Sequence, residues 1–139
     1  MRLPGRLAAL LCTLLLAAGA VAGDVPPALA DELIGHAIAD FDAHGGVPAA
    51  VRGVHLRRTT TDDGSPSWLL CGEYRHAGEG TPWVAFATIR TDPYEHWLGG
   101  QAEGLCERAE AATTDAADLT PKMQVAVDAA RRAPPPRAG

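Results

Sequence analysis

The chain has 139 residues, with 12 basic and 17 acidic side chains and a formal net charge of -5. That length fits one domain, and a hydrophobic content of 47% excludes a disordered polyelectrolyte. The acidic balance argues against a nucleic-acid partner, which calls for a basic face.

Residues 1–22 read as a secretory signal peptide. Arg2 and Arg6 form a positive start, Leu7 to Ala22 is almost wholly apolar, and Ala20-Val21-Ala22 is a small-x-small cleavage pattern before Gly23. The apolar run, about 16 residues, is short of the ~20 that span a bilayer. Cleavage therefore leaves no integral membrane segment and points to a periplasmic or secreted location. Cys12 is poorly placed for lipidation, because Leu11 precedes it and mostly apolar residues follow. Cleavage also removes Arg2 and Arg6 but no acidic residue, so the mature chain is more acidic still. Cys71 and Cys106 remain, and an even count in an exported chain signals a disulfide. Such a crosslink closes a loop of about 35 residues, worth roughly 4 kcal/mol in the chain-entropy account.

The mature chain divides into a single α+β domain over 23–112 and a segment 113–139 made of linker, weak helix and Pro-rich disordered tail. Pro27 suits a first helical turn. Leu29, Ala30, Leu33, Ile34, Ala37, Ile38 and Phe41 then recur at spacings of three and four, the stripe of an amphipathic helix that stops at Gly45-Gly46. A half-buried strand follows from Val51, with Val54 and Leu56 on one parity beside Arg52 and Arg58, and His55 and Arg57 on the other. Asp62-Asp63-Gly64-Ser65-Pro66 marks a turn. The next strand, Trp68 to Arg75, begins apolar on both faces and reads as central. Gly72 within it marks a bulge or a close approach. A third strand runs from Trp83 to Arg90. Three strands with short connections make an antiparallel meander, and the first helix covers one face. Residues 91–100 fit a short fourth strand, a helical turn or a loop. Residues 101–112 read as a short helix, which a Cys71–Cys106 bridge would staple to the sheet. Thr120 and Pro121 resemble an N-cap and first helical position, opening a helix whose large apolar residues are Met123 and Val127. The expected architecture is an N-terminal helix on a small antiparallel sheet of three or four strands, with a C-terminal helical segment.

Sites of chemistry are sparse. His36, His44, His55, His76 and His96 match no metal-ligand spacing, so no metal or other cofactor is expected. No nucleophile elbow surrounds Ser65 or Ser67, and no phosphate-binding glycine loop is present. No catalytic residue is assigned. Glu73, mid-strand, is placed to pair with Arg57 or Arg75 or to contact a ligand. Trp68, Tyr74, Trp83, Phe86, Tyr94 and Trp97 cluster within thirty positions, and most serve to fill a core. Trp97 with His96 and Tyr94, in a glycine-flanked stretch, is the best candidate for surface recognition, joined by Glu73 and Arg57.

The order of signal peptide, amphipathic helix, charged strand, Leu70-Cys71-Gly72-Glu73, aromatic third strand and distal Cys106 resembles that of small exported bacterial proteins of uncharacterised function. The resemblance covers about residues 27–110. It implies an exported α+β fold and supplies no catalytic residues. Gly78, Gly80 and Trp83 match only loosely the glycine-rich, Tyr/Phe-bearing stretch of those proteins.

Three functional readings follow. The first is a non-enzymatic exported domain binding a protein or cell-envelope component, marked by an exposed apolar patch near Trp97. The second is a small-ligand-binding or inhibitor module with a pocket between the first helix and the sheet. The third is a hydrolase with an acid-base site around Glu73 and His55 or His76. Oligomeric state is not set by any residue. Intact mass of the exported product should place its start at Gly23; a product retaining Arg2–Ala22 would instead mean a membrane anchor.

Overall fold

A computed structural model describes residues 25–26, 28–111 and 118–134. The signal segment, Pro27, the 112–117 linker and the extreme C-terminal tail lie outside the described residues. Helix α1 spans Leu29–His44 and buries Leu29, Leu33, Ile34, Ala37 and Phe41, the expected stripe. Its end is closed by the backbone N–H groups of Gly45 and Gly46, which donate to Phe41 O.

Five strands follow in one antiparallel sheet: β1 (Ala50–Thr60), β2 (Pro66–Arg75), β3 (Val84–Ile89), β4 (Glu95–Leu98) and β5 (Glu110–Ala111), in the order β4-β3-β2-β1-β5. Four are principal strands and β5 has two residues. The open segment 91–100 thus contains a strand, reached through a turn in which Thr91 Oγ1 donates to Pro93 O. The β1–β2 turn is tied by Asp63, whose carboxylate accepts from Thr61 Oγ1 and Ser65 N–H. Those bonds, the Thr61 hydroxyl first, hold its pKa down to about 2.

The irregularity lies in β1, across from the glycine that signalled it. Arg52 pairs with Glu73 and His55 with Cys71, so Gly53 and Val54 together face Gly72. Gly53 has φ +60°, the left-handed conformation of a glycine bulge. The extra residue shifts the parity of the strand. Val51 and Val54 are both buried on one face, while Arg52 and His55 share the other. The simple alternation expected for β1 holds only after the bulge. Gly72 is the close approach: a β-carbon there would sit 2.8 Å from Phe86 Cε1 and 3.1 Å from Val54 Cγ2.

The sheet is covered on both faces, as the two-sided apolar start of β2 requires. On one side, α1 packs with Val51, Val54, Leu56, Leu70, Tyr74 and Phe86. On the other, helix α2 (Gly100–Arg108) lies over a smaller cluster of Leu69, Cys71, Ile89 and Ala109. The Cys71–Cys106 disulfide is present and staples α2 to β2. The helix expected over 101–112 ends at Arg108, because Ala109 O accepts from Arg57 Nη1 and the next two residues pair with β1.

Helix α3 (Thr120–Arg132) docks beside α1 on β1. Met123 and Val127 are fully buried, so this helix shares the main core. Its polar residues also satisfy the outer edge of β1. Gln124 Oε1 accepts from Val51 N–H, Gln124 Nε2 donates to Ala49 O, and Thr120 Oγ1 accepts from Val54 N–H. Thr120 therefore serves the sheet and not its own helix; Leu119 occupies the N-cap position and carries no side-chain cap bond. An edge strand with open amide groups invites aggregation, and here α3 and β5 close it.

Two glycine substitutions test this packing by urea unfolding. Gly72→Ala should destabilise by about 1–3 kcal/mol through overpacking against the buried Phe86 ring. Gly35→Ala, on the exposed face of α1 with open space around it, should stabilise by about 0.5–1 kcal/mol. A neutral Gly72→Ala would contradict the tight β2–β3 contact.

Candidate functional site

The five residues singled out from sequence do not form one site. Glu73 and Arg57 line a groove on the α2 side of the sheet. His96 and Tyr94 line a cavity on the α1 side. Trp97, next to His96 in β4, points to the α2 side and packs on Leu69, Cys71, Ile89 and Ala109, with its Nε1 donating to Glu95 at 3.0 Å. Trp97 is thus partly buried, with the exposed Leu98 as its chain neighbour. Among the described residues the large hydrophobic side chains that stand exposed are Leu98 and Val125.

The groove has a volume of about 440 Å³. Its floor is the Cys71–Cys106 disulfide with Gly72 and Ala85, and its walls carry opposite charge. The bulge places Arg52, His55 and Arg57 along the β1 wall. Glu103 and Glu107, one turn apart on α2, form the facing wall. Trp83 precedes β3 and holds two guanidinium groups, Arg52 at 4.3 Å and Arg75 at 4.8 Å from its ring.

The polar groups on the β1–β2 side of the groove are already engaged, whereas the Glu103 and Glu107 side chains make no hydrogen bond or ion pair among the described residues. Glu73 Oε2 accepts from Arg52 Nε at 2.7 Å, with both side chains about half exposed. An ion pair this open contributes at most about 1 kcal/mol. Arg57 Nε donates to His55 Nε2 at 2.9 Å, and Arg57 Nη1 donates to Ala109 O at 2.8 Å. His55 Nδ1–H in turn donates to Gly53 O at 2.6 Å. An arginine is always a donor, so His55 is the neutral Nδ1–H tautomer with its second nitrogen occupied. His76, the other partner considered for Glu73, lines the opposite cavity. Cys71 and Cys106 are joined to each other, which leaves no thiolate at Cys71.

The second cavity, about 390 Å³, lies between the C-terminal end of α1 and the sheet. It is bounded by Asp40, Phe41, Tyr74, Tyr94 and three histidines, His44, His76 and His96. Tyr94 stacks on His36 with ring centres 3.6 Å apart, and its hydroxyl donates to Glu32. Burial raises the Tyr74 hydroxyl above its ordinary value, so it keeps its proton. His96 meets Phe41 edge-on at 4.8 Å, and its Nδ1 lies 2.9 Å from Thr88 Oγ1. Its Nε2 is buried with no hydrogen-bond partner. Burial lowers its pKa; the Asp40 carboxylate opposes that shift and His44 adds to it.

Sequence reasoning passed over Trp83, Asp40, Glu103 and Glu107 as site residues. The one available signal was the i,i+4 spacing of the two glutamates on a short helix. Among the described residues, no group of three or more histidine, cysteine or acidic side chains is placed to hold a metal ion. No helix among them is long and apolar enough to cross a membrane. No protein-family model matches the chain, and neither the curated proteins nor the solved structures contain a significant match to it.

The His96 environment has a defined pH consequence. As pH falls, the unfolded chain takes up this proton before the folded one does. The linked stability is complete above the ordinary imidazole pKa and is lost as pH falls through it towards the lower folded value. Imidazole NMR titration should give His96 a midpoint below about 6.5; a midpoint at or above that contradicts its burial.

Proposed function

We propose that the chain is an exported, non-enzymatic binding domain whose α2-side groove takes an extended segment of a protein or cell-envelope peptide partner. The observation that carries this reading is the groove itself: a cationic wall on β1 faces an anionic wall on α2 across a disulfide-stapled floor. A peptide bearing side chains of both charge signs is the complementary occupant. A half-exposed ion pair and a ring holding guanidinium groups suit recognition. They suit proton transfer poorly, since Glu73 is tied to Arg52 and both His55 nitrogens are occupied. That weighs against the hydrolase reading. Export rests on the signal-like residues 1–22 and is supported by the disulfide, which persists in oxidising compartments such as the periplasm or the exterior. The small-ligand reading is favoured by a different observation, the cavity between α1 and the sheet.

Selection of displayed peptides about 12 residues long against the purified exported protein tests the groove. Selected peptides should carry both acidic and basic residues. Arg52→Glu or Glu107→Lys should each weaken them about 10-fold, with the loss shrinking at high salt. Peptides indifferent to both reversals, or no selectable peptide, would sink this reading.

A further inference from the structure

The α1-side cavity is lined by two residues, His96 and Asp40, each with a side-chain polar group that no described residue partners. The first is His96 Nε2. Its protonation follows from its neighbour. Thr88 is fully buried, and its hydroxyl has one hydrogen-bond partner, His96 Nδ1 at 2.9 Å. If Nδ1 carried the ring proton, the buried hydroxyl hydrogen and the Nε2 lone pair would both go unmatched. If Thr88 donates to Nδ1, one group alone is unmatched, an Nε2–H donor. Every unmet buried group is costly, so the second arrangement, which leaves one and not two, prevails. Burial, which disfavours the imidazolium, agrees with a neutral ring.

The second group is the Asp40 carboxylate. Its side chain takes part in no hydrogen bond or ion pair among the described residues; the bond from His44 goes to its backbone oxygen. The cavity wall thus includes a histidine with an unpartnered buried nitrogen and a partly exposed, unpaired carboxylate. The surface between them is aromatic. Phe41 and Tyr74 lie 4.6 Å apart in a tilted pair, Tyr94 adds a third ring, and Gly45 and Gly46 line the wall without side chains. A volume of about 390 Å³ falls at the small end of ligand sites and suits one ring.

We infer that this cavity binds a small single-ring amine carrying an oxygen acceptor. The ring packs among Phe41, Tyr74 and Tyr94, the oxygen accepts from His96 Nε2–H, and the ammonium pairs with Asp40. A metal ion is a poorer occupant, because no set of three donors converges among the described residues. This site lies across the sheet from the groove and stands or falls separately from it.

The test titrates the ¹³C,¹⁵N-labelled exported protein at pH 8 with tyramine, phenethylamine and 3-(4-hydroxyphenyl)propionate. Calorimetry and the side-chain signals of His96 and Tyr74 report binding. Tyramine should shift both residues. Loss of the oxygen, in phenethylamine, should weaken binding roughly 5- to 10-fold, the worth of one hydrogen bond. The propionate, with the charge reversed, should not bind at concentrations that saturate with tyramine. Asp40→Asn, at a partly exposed position, should weaken tyramine about 10-fold with the fold unchanged. The inference is overturned by an Nδ1–H tautomer at His96, by no shift at about 10 mM tyramine, by equal affinity for all three probes, or by shifts confined to the Trp83 groove. An Asp40→Asn variant that folds and binds tyramine unchanged overturns it too.

Discussion

The bulge at Gly53 is the constraint on which both faces of this molecule depend. A regular strand from Val51 to Thr60 would send Val51 and Val54 to opposite sides of the sheet. One extra residue, accommodated by a glycine at φ +60°, turns both inward and brings Arg52 and His55 together on the other side. The core under α1 and α3 and the cationic wall of the groove are therefore two consequences of one backbone irregularity. Gly72 completes it, since the doubled residues of β1 face a position where Phe86 and Val54 leave no room for a side chain.

The three helices bind the sheet by different physics. α1 contributes a long apolar stripe, and hydrophobic burial suffices for it. α2 buries only Ala102 fully, so the covalent link from Cys106 to Cys71 compensates for a thin contact. α3 combines two buried apolar residues with polar side chains that satisfy the open edge of β1. Its few large apolar residues made it look weak in isolation. Its partners are backbone amides some seventy positions away, which no local pattern reveals.

The sheet also acts as a partition between two unlike sites. Successive strand residues face opposite ways, so His96 and Trp97 belong to different environments although they are neighbours in sequence. One side is an open groove in which Glu73 pairs with Arg52 while the two α2 glutamates stand unpaired among the described residues. The other is a smaller aromatic cavity with an unmatched imidazole nitrogen. Proximity along the chain suggested a shared patch at 94–97, and strand geometry divides it.

Much of the architecture was legible in local pattern. The period of α1, the glycine stop at Gly45-Gly46, the two-sided apolar start of β2 and the pairing of Cys71 with Cys106 all follow from short-range chemistry: side-chain spacing, backbone freedom of glycine, and the even number of cysteines beyond residue 22. Tertiary structure decided the rest. Whether 95–98 formed a strand depended on the free edge of β3, and where α2 stopped depended on Arg57. Convergence of Arg52, His55 and Arg57 on one wall depended on a bulge whose register is set across the sheet. The unmatched nitrogen of His96 depended on a buried threonine eight residues away. Such features arise from contacts between distant segments, and a sequence read along its length carries spacing but not those meetings.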